Sequence, residues 1–295
     1  MNINVLDTEA AYRRILAAPD AATREAIYRQ EIAEPFAELA KFFGSDDVLA
    51  SFNQWQMSLS LFEGEARART AMLIDALAGH NAWEQFAQAM QEGKAAFAAY
   101  AERIPLDSIL AALLVGGLIG DHGYTGFGGI PGYVMTVYGE ANNYTLPRIK
   151  GTTVHELHHN ILSVAMPINF MDVTLGYYMI MEGLAESFSA ELYGEEVVGY
   201  YVTEFSDAEI DEAKRIIGGA LETKGFNAVR RYIFGDALMR QEFGGLPKSG
   251  VPAYSGYAIG YRVVQQYLKR TGKTVVEATF IPANEIIAES GYFSG

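Results

Sequence analysis

The sequence predicts an α+β fold, predominantly helical, and three observations carry that expectation. Apolar residues recur at helical spacing through the first hundred residues and again from residue 146 onward. Between these regions lie two short apolar runs with strand texture, 108–120 and 133–139. A glycine-rich segment, "GDHGYTGFGGIPG" (120–132), separates the two runs.

Taken in order, "DTEAAYRRILAA" opens a helix on a capping residue, Asp7 or Thr8, and "EARARTAMLIDALAG" closes one on Gly79. A helix is predicted over 82–104, with Trp83, Phe86, Met90, Phe97 and Tyr100 as a core-facing stripe and Pro105 as the stop. "SILAALLVGGLIG" reads as a buried strand, although periodicity alone does not separate it from a short helix. "YVMTVYG" (133–139) is aromatic and β-branched, as strands prefer. Helices are then predicted over 146–165, 173–194, 206–225 and 227–236. A loop with Gly244, Gly245, Pro247 and Gly250 precedes a last helix over 254–271, which Gly272 closes. The chain divides by texture into a helical region (1–105), a central core (106–205) and a C-terminal helical lobe (206–295).

Composition narrows the function. A net charge of −14 with scattered Lys and Arg argues against nucleic acid, which wants a basic face, and mildly against an anionic membrane surface. The absence of cysteine removes disulfides, thiolate metal sites and Cys nucleophiles, and fits a reducing cytoplasm. The first twenty residues lack the basic-then-apolar order of a signal peptide, and the run 109–120 is too short for a bilayer, which needs about 20 residues. These readings point to a cytoplasmic protein.

Of five histidines, three fall within "HELHH" (155–159). On a helix, His155 and His159 project from one face and can share an ion, while Glu156 is placed to reach a water on that ion rather than to ligate. The neighbours Val154, Leu157, Ile161 and Leu162 are apolar, so the helix is expected to be buried, and buried histidines need partners. His158 points off that face and reads as structural. A catalytic zinc takes three protein ligands and leaves a fourth position open. The third is expected from "YYMIMEGLAESFSAEL" (177–192): Glu182 first, Glu186 second, with Asp172 a distant third that more readily caps the next helix. A three-histidine site is excluded, because Leu162 and Ala165 stand where it needs Gly and His. Glu186, one turn after Glu182, suits the carboxylate that holds His155 or His159 in its tautomer.

"HELHH" followed by "TLGYYMIMEGLAESFSAELYG" resembles the YjaZ-like family of predicted zinc-dependent proteases in the gluzincin clan. The resemblance spans residues 106–290, strongest over 152–194. It implies a zincin-like fold, with a small sheet above two active-site helices and a helical lobe that closes the cleft. It also implies His155, His159 and Glu182 as ligands of one Zn2+ per chain, Glu156 as the catalytic glutamate, and Glu186 as the supporting acid. The 22 residues between His159 and Glu182 are a few more than the best-known gluzincin peptidases have.

The expected function is therefore zinc-dependent hydrolysis of peptide bonds in a peptide or protein substrate. Glu156 would take a proton from water whose pKa zinc lowers toward about 7. The alternative is a zinc-binding regulatory protein with little or no turnover, linked to stress response. An oxyanion donor is sought among the tyrosines: Tyr257, then Tyr261, then Tyr254, with Gly256 and Gly260 allowing close approach. The run 133–139 is expected to be the edge strand that pairs with substrate, and 120–129 a flap. Glu140 and Asp121 are conceivable amine-binding acids of an exopeptidase, His122 a plain loop residue, and Met166, Met171, Met179 and Met181 core.

Overall fold

The computed structural model describes residues 1–117, 122–167, 169, 171–237 and 248–294. Asp121, Gly244, Gly245, Pro247 and the end of the run 108–120 lie outside them. The fold is α+β and predominantly helical with one four-stranded sheet, consistent with a zincin-like architecture. The chain groups into two units, residues 1–94 with 106–156, and residues 95–105 with 157–294.

The first unit contains the sheet. Its strands are β1 (Asn2–Val5), β2 (Ser108–Val115), β3 (Tyr124–Phe127) and β4 (Tyr133–Tyr138), ordered β1-β2-β4-β3. β1 and β4 flank β2 in parallel, and β3 pairs antiparallel with β4, Gly126 opposite Thr136 and Phe127 opposite Met135. β2 and β4 are buried almost throughout, the unbroken apolar texture of strands covered on both faces.

The covers follow from side-chain alternation along the strands. The Tyr138 hydroxyl lies near Thr152 on helix α7 (Ile149–Ala165), so the face of β4 that holds Tyr138 and Thr136 meets that helix. Tyr133, on the opposite face, packs its ring against Phe36 of the N-terminal region at 6.2 Å.

Several expectations change here. Among the described residues the run 133–139 is interior, and β3, inside the expected flap, is an edge strand, as is β1. The N-terminal hundred residues are not all helical, because Asn2–Val5 extend the sheet. The predicted helix over 82–104 is α6 (Ala82–Ala96) followed by a 3-10 turn (Ala98–Arg103), and that over 206–225 ends at Gly218.

The second unit is built on helix α8 (Leu175–Tyr193). Thr174 caps it by accepting from the Tyr177 N–H, which displaces exposed Asp172 from that role. Helix α12 (Ser255–Thr271) crosses α8 at Gly183 and Gly260. A methyl on Gly183 would collide with the Gly260 carbonyl and stand 2.9 Å from the Tyr261 nitrogen, so only glycines permit this approach. His158 is buried against Phe97 and Phe188 and exchanges a 3.0 Å hydrogen bond with the Thr279 hydroxyl. No helix among the described residues is long and apolar enough to cross a membrane.

Candidate metal centre

Helix α7 is one continuous element, and the boundary between the units falls inside it, between Glu156 and Leu157. His155 and His159 are four positions apart, a little over one turn at 3.6 residues per turn, so both rings leave the same face. Both are buried, as are Glu156 and Glu182. One nitrogen from each of His155 and His159 and one oxygen of Glu182 lie within 4.8 Å of one another, the arrangement that an ion would need. His159 Nε2 stands 3.1 Å from Glu182 Oε2. Two donors on a tetrahedral zinc, each at about 2.1 Å, are separated by about 3.4 Å, so the pair is already near coordination spacing. Two imidazoles and a carboxylate are also a donor set that zinc takes. A buried carboxylate facing two buried imidazoles is costly unless positive charge joins them. The residues present therefore fit the ion that the sequence implies.

Glu156 is held by the edge strand. A methyl built on Gly126 would stand 2.6 Å from the Glu156 carboxyl carbon, and one on Gly128 would overlap its backbone carbonyl. The glycines of "GFGG" are therefore room for Glu156. The expected flap over 120–129 leaves out this packing role. The signal was present: alternate glycines in an apolar run mark close approach of another backbone.

Glu186 is buried, and both of its oxygens accept hydrogen bonds from the segment after α8: Oε1 from the Gly199 N–H and Oε2 from the Tyr201 O–H at 2.8 Å. Neither donor was anticipated. Among the three candidate tyrosines, Tyr261 is buried and donates to Glu195 at 2.6 Å. Burial first, then that carboxylate, pushes its pKa well above the ordinary tyrosine value. Tyr254 has a left-handed backbone, φ 61°, and accepts from the Tyr200 hydroxyl at 3.2 Å. Tyr257 is half-buried, its ring against Tyr201, Tyr254 and Phe234. Asp172 pairs with the Asn169 amide at 3.3 Å. His122 stacks on Tyr144, and Glu140 accepts from Asn142. Met179 is buried, whereas Met171 is exposed at 80 % and so not core.

Comparison with known proteins adds three findings. A family model described as "Predicted Zn-dependent protease (DUF2268)" matches residues 82–288. The "Uncharacterized protein YjfC" of Bacillus subtilis is 41 % identical over 172 residues, which are 58 % of this chain and 56 % of that protein. This chain thus covers little more than half the length of that relative. No solved structure matches.

Proposed function

Since the chain belongs to the family of predicted Zn-dependent proteases, we propose that it is a zinc metallopeptidase whose His155, His159 and Glu182 hold one Zn2+ and whose Glu156 is the general base. The observation that carries this reading is the buried convergence of those three donors, with Glu156 next to His155 on α7. When bound, zinc would supply Lewis acidity, lowering the pKa of water and polarising a carbonyl.

The remaining chemistry belongs to the chain. Glu156 takes a proton from the attacking water as its oxygen bonds to the scissile carbonyl carbon, then gives that proton to the amine as the C–N bond breaks. Such transfer contributes about 10²–10⁴ in rate. Gly126 and Gly128 let β3 lie against Glu156 and so restrict its position. β3 pairs with β4 along one edge, and among the described residues no strand pairs with the other. That edge, in place of the run 133–139, is where an extended substrate adds as a strand. Tyr257 is the leading oxyanion donor, because Tyr261 is committed to Glu195. Glu186 supports the site indirectly by anchoring Gly199 and Tyr201.

Purified protein should carry about one zinc per chain, and Glu182→Ala should lose most of it. Digestion of a peptide library, read by mass spectrometry, should show chelator-sensitive cleavage that Glu156→Gln abolishes while keeping the metal. Cleavage that survives Glu156→Gln would remove the general base. Bound zinc with no cleavage would favour the regulatory alternative.

A further inference from the structure

Most of the aromatic side chains near the sheet are buried, but two adjacent phenylalanines are not: Phe42 is 64 % exposed and Phe43 52 %. They stand at the end of helix α3 (Ala37–Phe42), where Gly44, with φ +83°, turns the chain out of the helix. Phe43 meets Trp55 edge-on at 5.9 Å and Phe127 at 5.8 Å. Trp55 in turn rests on fully buried Phe52, and Phe52 on Phe36. The exposed rings thus sit on a rigid aromatic base, and one of their neighbours belongs to the edge strand.

Alternation along β3 fixes what each of its positions faces. Gly126 looks toward Glu156, so Phe127, the next residue, looks to the opposite side of the sheet, where Phe43 and Trp55 lie. A peptide added to the outer edge of β3 alternates in the same way. Its residue beside Gly126 is turned toward Glu156, and the neighbour about 3.4 Å along the strand is turned toward the aromatic rings.

Resting on the peptidase reading above, we propose that Phe43, Trp55 and Phe127 form a specificity subsite for a large apolar or aromatic side chain of the substrate, adjacent to the residue that faces Glu156. The helical N-terminal region then contributes to substrate selection by supplying the rings. An extended peptide is the occupant favoured over a second copy of the chain or another protein, because the patch is continuous with the outer edge of β3 at Gly126 and Phe127, which runs past Glu156 and along which no strand pairs among the described residues.

The test compares cleavage profiles of the zinc-loaded wild type and Phe43→Ala. The wild type should enrich Phe, Tyr, Leu or Met at one position next to the cut bond. Phe43→Ala should reduce kcat/KM for a Phe peptide about tenfold, the scale of burying one aromatic side chain, and leave the matching Ala peptide unchanged. Phe43 is exposed, so its loss opens no core cavity; Met72→Ala, also exposed (72 %) and outside the patch, should keep the full preference. A turnover-independent arm measures anisotropy of labelled Ala-Ser decapeptides bearing one Phe, with the Glu156→Gln protein as receptor. Cleavage without preference at any adjacent position overturns the subsite and leaves the peptidase reading standing. Phe-dependent binding that Phe43→Ala removes, without cleavage by the wild type, upholds the subsite and sinks hydrolysis. Neither binding nor cleavage overturns both, and self-association that Phe43→Ala abolishes, with a flat cleavage profile, assigns the patch to a second copy and overturns the subsite.

Discussion

At Gly126, in the first unit, the group that a side chain would strike is the carboxyl end of Glu156; at Gly183, in the second, it is the backbone of Gly260 and Tyr261. A carboxyl can swing aside at modest cost, leaving the strand in place but the acid displaced. A backbone cannot swing, so two long helices must separate. Close packing in one unit therefore protects the position of the proposed general base, and in the other it protects the fold that holds Glu182.

Four substitutions test that contrast. Gly183→Ala should have the largest effect, about 3 kcal/mol of overpacking, seen as a melting temperature lower by roughly 6–12 °C. An unchanged melt would show that α8 and α12 can separate freely, and the contrast would fail. Gly126→Ala should leave the melt within a few degrees and the zinc content intact, yet cut peptide turnover about 10²-fold through displacement of Glu156. A melt as low as that of Gly183→Ala would place both glycines in the same role. Tyr201→Phe removes a donor to the buried Glu186 carboxylate and should cost about 1.5 kcal/mol, measured by denaturant unfolding.

Tyr261→Phe should be the mildest, about 1 kcal/mol at neutral pH, and its sign depends on pH. Burial and Glu195 hold the Tyr261 pKa above the ordinary value of 10.0. The folded chain therefore keeps this proton more tightly than the unfolded one, and the stabilisation is full below pH 10 and lost as pH rises through the folded pKa. Tyr261→Phe should flatten that alkaline loss; an equally steep decline would assign it to other tyrosines such as Tyr177, whose pKa burial pushes up to about 12.

The site was more legible than the sheet, for a physical reason. His155, Glu156 and His159 are related by helical periodicity, a local property, and the apolar surroundings of Glu182 in "MIMEGLA" mark a carboxylate that solvation would not place there. Strand order depends on pairings between residues far apart in the chain, and no local pattern encodes it. "YVMTVY" nevertheless held a clue that it is interior, since a strand with one solvated face alternates polar with apolar, and this one does not. "NINV" is too short and too polar to announce β1. Asp172 was a plausible cap two residues too early, because Thr174 can do the same work nearer the helix.

The pairing of β1 with β2 bears on how the molecule is handled. Asn2 and Leu6 donate backbone hydrogen bonds to the carbonyls of Asp107 and Ala111, more than a hundred positions downstream. Removal of residues 2–5 would lay bare the flank of β2, an apolar ribbon able to recruit strands from other molecules. Aggregation would then follow from removing the least conspicuous strand of the sheet, far in sequence from the candidate metal centre.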